Sequence, residues 1–207
     1  MKVLLLNSST HKNGCTALAL NRIAKVLKAE GVDSELWWLG TEPVRDCAAC
    51  NACSRLSKCA FDDGKVNEFT ALARVCDGFV FGTPVYYAHP TGRILSFLDR
   101  AFYSATDAFR QKPGAAIASA RRAGTTASLD VLNKYFTIAQ MPVISSTYWN
   151  MVHGRDASDA EQDLEGLQTM ENLARNMAWI LKSIEAGKIA GIEKPDNPKK
   201  IFTNFIS

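Results

Sequence analysis

Short unbroken apolar runs alternate along the chain with longer stretches in which apolar residues recur every three or four positions. That pattern predicts buried strands alternating with amphipathic helices. Val3 to Leu6 is the first run, as expected of a strand covered on both faces of a parallel sheet. After a polar turn, Ala19, Ile23, Val26 and Leu27 mark one face of a helix over Thr16 to Glu30, and Gly31 sits where a helix stop belongs. Further strands are predicted at Ser34 to Leu39, Gly78 to Gly82, Ala115 to Ala118 and Val143 to Tyr148, the third ending abruptly at Thr83-Pro84. Further helices are predicted over Val66 to Val75, Ile94 to Tyr103, Thr126 to Ala139 and Asp159 to Ala186. Five strands alternating with five helices imply an α/β fold, a doubly wound five-stranded parallel sheet with helices on both faces and right-handed crossovers. A single domain is expected over residues 1–190, with a cysteine-rich segment, 47–59, inserted after the second strand. Residues 191–207 are expected to form a tail wrapping the surface or a neighbouring subunit.

In such a sheet, ligands bind beyond the carboxyl ends of the strands, where strand order reverses. The loop after the first strand, NSSTHKNGCT, offers hydroxyls, amides and a glycine running into a helix start. Backbone N–H groups there suit a phosphate, and an ordinary helix-capping loop is the plainer alternative. There is no G-x-x-x-x-G-K-[ST] and no G-x-G-x-x-G, so a nucleotide monophosphate fits better than ATP or a dinucleotide. After the third strand, TPVYYAHPTG presents a stiff turn and two tyrosines, suited to a flat heteroaromatic ring or simply to capping the core. After the fourth, SARRAGTT places Arg121 and Arg122 beside a glycine turn, either to meet negative charge on a ligand or as a solvated surface pair.

Composition narrows the classes. The chain has 207 residues, is 47% hydrophobic and 22% charged, and carries a formal net charge of +3, which gives no case for nucleic acid or a membrane surface. Arg121-Arg122 and Lys199-Lys200 are isolated basic pairs. The opening MKVLLLNSST is too short in its apolar run for a signal peptide or a membrane span, so a cytoplasmic protein is expected. In a reducing compartment the six cysteines point to metal or redox chemistry more than to structural disulfides. Cys76 reads as a small core residue. Cys47, Cys50, Cys53 and Cys59 form C-x2-C-x2-C-x5-C, close to the compact runs that hold a cubane cluster. Bare thiols, a facultative disulfide or zinc remain open for the same spacing. His89 and His153 lie near strand ends, where either could touch a substrate.

Three of these loops together resemble a known family. NSSTHKNGCT is similar to the phosphate loop of the flavodoxin-like NAD(P)H-dependent FMN reductases, and TPVYY followed by GRILSFLDR to their isoalloxazine loop and next helix. The likeness continues through the cysteine run with Asp62-Asp63, YWNMVHG and DLEGLQTMENLARNMAW, and so covers nearly the whole chain. The cysteine run resembles that of the iron-sulfur flavoproteins, which pair FMN with a 4Fe-4S cluster. The resemblance implies a flavodoxin-like strand order 2-1-3-4-5. It implies FMN phosphate on Ser9, His11, Asn13, Gly14, Cys15 and Thr16, and the flavin ring on Thr83, Pro84, Val85, Tyr86 and Tyr87. Ala120, Arg121, Arg122 and Gly124 would close the third side, and Cys47, Cys50, Cys53 and Cys59 would hold the cluster. Three departures stand out: His11 where the family usually has arginine, Cys15 where asparagine is common, and Leu95 where lysine often precedes the Asp-Arg pair. The first makes phosphate binding weaker or pH-sensitive, because imidazole changes charge near neutrality.

The implied activity is an FMN-dependent oxidoreductase that takes hydride from NAD(P)H and passes electrons to the cluster or to a small acceptor such as a quinone. Two rivals follow from the same residues. One is an electron carrier reduced by a ferredoxin-like protein, without a pyridine-nucleotide site, in which Arg121 and Arg122 dock an acidic partner. The other is a zinc-stabilised nucleotide-binding module. A homodimer or homotetramer is expected from the family.

Overall fold

The computed structural model describes residues 1–198, 201 and 203. In chain order the elements are β1 (Lys2–Asn7), α1 (Cys15–Ala29), β2 (Asp33–Trp38), α2 (Cys53–Leu56), α3 (Lys65–Arg74), β3 (Gly78–Tyr86) and β4 (His89–Pro90). There follow α4 (Gly92–Phe109), β5 (Gly114–Ala120), α5 (Thr125–Ile138), β6 (Met151–His153), α6 (Ala157–Ala160) and α7 (Leu164–Ile189). The sheet runs β2-β1-β3-β5-β6, all parallel, which is the flavodoxin-like order expected. β4 adds one short antiparallel pairing to the end of β3, Tyr86 facing His89.

Strand alternation builds two different cores. Leu4, Leu6, Phe79 and Phe81 point to one face, where Phe69 of α3, Phe97 of α4 and Phe136 of α5 cover them. Phe69 and Phe97 meet edge to face at 5.0 Å, and Trp37 stacks on Phe97 at 5.3 Å. Val3, Leu5 and Val80 point to the other face, against Leu20 and Ile23 of α1 and Leu173 and Met177 of α7. One face is thus aromatic and the other aliphatic. Each fully buried large side chain is worth about 1.5–3 kcal/mol relative to exposure.

The structure corrects several boundaries. β3 does not stop at Thr83-Pro84: its parallel ladder with β5 ends there, Pro84 opposite Ser119, but the strand runs on to Tyr86 through its pairing with β4. β1 leaves this strand at Gly82, so a residue without an N–H is tolerated beyond that point. The fifth strand is displaced from Val143–Tyr148 to Met151–His153. Val143 makes only a single bridge to Gly114, and of the run VISSTYW only Ile144 is buried. Polar groups of that run are taken up by α7 instead of a ladder. Asn176 Nδ2 donates to the Ser145 carbonyl at 2.9 Å, and Ser146 Oγ donates to the Thr169 carbonyl at 2.6 Å.

The helix expected over Asp159–Ala186 is two helices. Asp156 caps the first by accepting from Asp159 N at 3.0 Å, and Asp163 caps the second by accepting from Gly166 N at 2.9 Å. α4 is longer than expected and kinks at Ala105. The start of the tail lies on the surface, where Gln111 Nε2 donates to the Pro195 carbonyl at 3.0 Å. Lys199-Lys200 fall outside the described residues. Among the described residues no helix is long and apolar enough to cross a membrane.

Candidate functional site

The carboxyl ends of β1, β3 and β5 open into a cavity of about 840 Å³, within the range of small-molecule sites. Its floor is the loop after β1, which is ordered by its own polar groups. Ser9 N donates to Asn7 Oδ1 at 3.0 Å, His11 N to Ser9 Oγ at 3.1 Å, and Asn7 Nδ2 to the Lys12 carbonyl at 3.2 Å. From behind, Trp38 Nε1 donates to the Ser9 carbonyl at 2.8 Å. α1 then begins with Gly14 as its cap, which supplies no side-chain acceptor. The N–H groups of the first turn are left for a ligand.

Of the residues singled out from sequence, Ser9, His11, Asn13, Gly14, Cys15, Thr16, Pro84, Val85, Tyr86, Ala120 and Arg121 line this one cavity. Thr83, Tyr87, Arg122 and Gly124 do not. Thr83 is buried, and its hydroxyl donates to the Pro84 carbonyl at 2.9 Å while accepting from Thr91 N at 3.2 Å. It therefore ties the β3 turn to the cap of α4. Gly124, at φ +92°, lies against the turn from the other side: a Cβ there would sit 2.7 Å from Val85 Cγ1 and 3.0 Å from Ala88 Cα. Tyr87, at φ +58°, is fully exposed at the tip. Arg122 is exposed, and its carbonyl lies 3.0 Å from His153 Nε2. Neither His153 nor His89, whose Nδ1 lies 2.7 Å from the Pro90 carbonyl, lines the cavity.

Sequence reasoning missed Lys12, Ser119 and the wall Gly154, Arg155, Asp156, Ala157 and Ser158. Lys12 lies 5.4 Å over the Trp38 ring. Ser119 pairs its hydroxyl with Thr16 Oγ1 at 2.8 Å, both side chains buried. Arg155 pairs with Asp159 at 2.9 Å. Cys15 Sγ donates to the Gly154 carbonyl at 3.5 Å, closing α1 against the wall, and burial pushes its thiol pKa up, which disfavours the thiolate.

A second cavity, of about 260 Å³, is lined by Cys47, Cys50, Cys53 and Cys59 together with Phe61, Arg100 and Tyr103. Cys59 is buried, Cys47 and Cys53 are half-buried and Cys50 is exposed. The chain turns tightly here, with Ala49, Asn51 and Ser57 at φ of +48°, +55° and +52°. The thiols border one space without converging: among the described residues no three His, Cys, Asp or Glu side chains form a compact metal-binding group. α4 carries the loop. Arg93 Nη2 donates to the Gly40 carbonyl at 2.6 Å, Ser96 bonds Asp46, and Arg100 donates Nε to Cys59 Sγ at 3.4 Å, Nη2 to the Phe61 carbonyl at 2.8 Å and Nη1 to Asp63. Burial opposes the charge on Arg100, but Asp63 and Cys59 outweigh it and raise its pKa. Cys76 is the buried core residue expected.

The family profile described as NADPH-dependent FMN reductase matches residues 1–156. The chain belongs to that family. It is therefore a flavodoxin-like, FMN-binding oxidoreductase. An iron-sulfur flavoprotein of Methanocaldococcus jannaschii is 26% identical over 193 residues, covering 89% of this chain and 100% of the relative. The iron-sulfur flavoprotein of Methanosarcina thermophila is 24% identical over 192 residues, covering 91% and 99%. Among solved structures, a flavone reductase superposes with TM-score 0.69 at 16% identity, covering 89% of this chain and 64% of its own. RosB with bound 8-demethyl-8-formylriboflavin-5'-phosphate superposes with TM-score 0.66 at 14% identity, covering 100% and 92%. These two share the fold. FMN fits the larger cavity of this reductase-family chain on two counts. The helix start is uncapped beside hydroxyls and cationic side chains, and Gly124 removes the side chain that would push the ring loop inward.

Proposed function

We propose that this oxidoreductase passes electrons from NAD(P)H through FMN to a 4Fe-4S cluster on Cys47, Cys50, Cys53 and Cys59, and from there to a small-molecule or protein acceptor. The observation that carries the reading is the pairing of two cavities in one chain, a three-loop cradle at the strand ends and a space walled by four cysteines. The Methanocaldococcus and Methanosarcina relatives, both iron-sulfur flavoproteins by name, support it. Bound FMN supplies two-electron hydride acceptance and one-electron release.

In this reading Ser9, His11, Asn13, Gly14, Cys15 and Thr16 hold the phosphate, with Lys12 adding charge. Pro84, Val85 and Tyr86 back the ring, Ala120 and Arg121 close its third side, and Tyr87 and Arg122 reach it from the exposed rim. Thr83 and Gly124 act from behind, fixing the ring loop. Tyr86 Oη lies 3.3 Å from Thr10 Oγ1, which orients the phenol at the mouth. Four thiols around one cavity, with a guanidinium donating to one of them, form a donor set suited to a sulfur-ligated iron group. The chain is taken to work as one domain over residues 1–190, in the cytoplasm, as a homodimer or homotetramer. Exposed Leu164, Trp179 and Ile189 on α7 offer apolar surface for assembly.

A second reading, reduction by an acidic ferredoxin-like protein, is favoured by Arg121 and Arg122. Both are exposed, and neither is in an ion pair among the described residues. The test is anaerobic purification with a visible spectrum, an iron and sulfide assay, and reduction by NADH and NADPH separately. Flavin with about four irons per chain, bleached by either nucleotide, is the expected result. Flavin without iron would sink the cluster. Failure of both nucleotides, with reduction by ferredoxin that weakens as salt rises, would move the assignment to the second reading.

A further inference from the structure

We propose that Arg100 is the positioning residue of the cysteine site, holding the Cys59 sulfur in place and stabilising the negative charge that reduction adds beside it. The inference rests on the reading of the cysteine loop as a redox site. Its basis is where a buried cation spends its donors. The Arg100 side chain is 1% exposed, on a helix whose neighbouring positions are filled by Phe97, Ala101 and Phe102. From there its fork reaches both limbs of the loop. Nη1 lies 3.4 Å from the Arg45 carbonyl, ahead of the cysteines, while Nη2 donates to Phe61, Nη1 to Asp63 and Nε to Cys59 Sγ, all at their far end.

Burying a guanidinium is unfavourable unless electron-rich groups surround it. Here they are two carbonyls, one carboxylate and one sulfur, and only the sulfur belongs to the group that would change charge. Asp63, the one carboxylate in ion pair with Arg100 among the described residues, has a 39% exposed side chain, so water screens part of its field. The Nε–H···Sγ contact is buried and screened less. Arg45 lies 3.9 Å over the Phe61 ring on the outer side, further closing the site. Donors to cluster sulfurs are one of the protein's means of setting a reduction potential, and a cation makes reduction easier. A pin for the loop alone would need no buried charge.

The experiment uses the full chain, purified anaerobically, as wild type, Arg100→Lys and Arg100→Gln. Iron per chain, flavin absorbance, the redox titration of the iron centre and the rate of Cys59 alkylation are read on each. In Arg100→Gln the reduced-to-oxidised ratio at fixed potential is expected to fall about tenfold, equivalent to ~59 mV for one electron. In Arg100→Lys, which keeps the charge and loses the fork, the fall is smaller. Flavin bands stay unchanged in both, because Arg100 does not line the flavin cavity. Loss of iron from Arg100→Gln with the flavin retained also supports the proposal. A wild-type ratio with full iron in Arg100→Gln overturns it. Should that variant fail to fold, a wild-type ratio in Arg100→Lys overturns it. If wild type itself carries no iron, the cluster reading fails, and Cys59 alkylation then judges the positioning: faster in Arg100→Gln sustains it, equal rates overturn it.

Discussion

Gly124→Ala tests whether the ring loop is held in place from behind. Two costs combine at this site. The left-handed backbone, φ +92°, penalises any Cβ by about 1–2 kcal/mol, offset by roughly 0.4–1 kcal/mol from the stiffer unfolded chain. The new methyl would also meet Val85 Cγ1 at 2.7 Å and the Ala88 backbone at 3.0 Å, an overpacking worth about 1–3 kcal/mol. The sum is about 1–4.6 kcal/mol, and at about 2–4 °C per kcal/mol for a chain of this size the Tm falls by roughly 2–18 °C. Gly31→Ala is the control. Gly31 has φ +76° with nothing within 4 Å of an added methyl, so only the backbone cost applies, about 0–1.6 kcal/mol net. Thermal unfolding of the FMN-free chains gives the stability difference, and quenching of flavin fluorescence gives FMN affinity. Gly124→Ala should lose both, because Val85 lines the cavity, and Gly31→Ala should bind FMN as wild type does. Equal Tm losses with unchanged FMN affinity in both would refute the idea that Gly124 sets the ring loop.

Two further outcomes are expected. Ser119→Ala leaves the buried Thr16 hydroxyl without its 2.8 Å partner and should lower stability by about 1–3 kcal/mol in urea unfolding, with Thr16→Val in the same chain recovering part of it. Asp63 resists burial through the Arg100 hydrogen bond and charge, which hold its carboxyl below the ordinary value of 3.8. Its contribution is therefore complete above about pH 4, the unfolded value, and is lost as pH falls through the lower folded pKa. Amide protection factors over residues 59–63 should fall in that acid window in wild type, whereas Asp63→Asn should show low protection already at neutral pH and lose the acid step.

Much of this architecture was legible because strand burial and helix periodicity agree. Val3 to Leu6 and the Ala19, Ile23, Leu27 stripe have one physical interpretation each, and the structure puts them where the pattern does. The loops after β1 and β3 were readable as the walls of one cavity because a switch point has to lie at those strand ends. The failures have equally local causes. VISSTYW is β-branched and aromatic, yet Asn176 of α7 donates to the Ser145 carbonyl and the Ser146 hydroxyl donates to the Thr169 carbonyl of that helix, so propensity yielded to tertiary contacts. The break between α6 and α7 was hidden because Asp163 looks like one more polar helix position, although Asp163 with Gly166 three residues on is a cap spacing. Of the cavity wall, Gly154 closes the stretch YWNMVHG, but Arg155 to Ser158 lay in a polar linker where the Asp156 cap was the available signal. Ser119 was lost between two alanines in a buried strand, where only its partner Thr16 reveals a role.

The segment from Gly40 to Asp63 contributes no strand to the sheet, and its only regular element is the four-residue α2. It is tied to α4 by Arg93, Ser96 and Arg100, and to α3 by Asn67, whose side-chain amide bonds both the N–H and the carbonyl of Cys59. Within it only Cys59 is buried, so this appendage is expected to open locally before the sheet and its packed helices do. Oxidative damage to the cysteines would strike the appendage and leave the flavin cradle folded. Deleting the segment would strip the buried Arg100 guanidinium of its acceptors, so the segment and α4 have to change together.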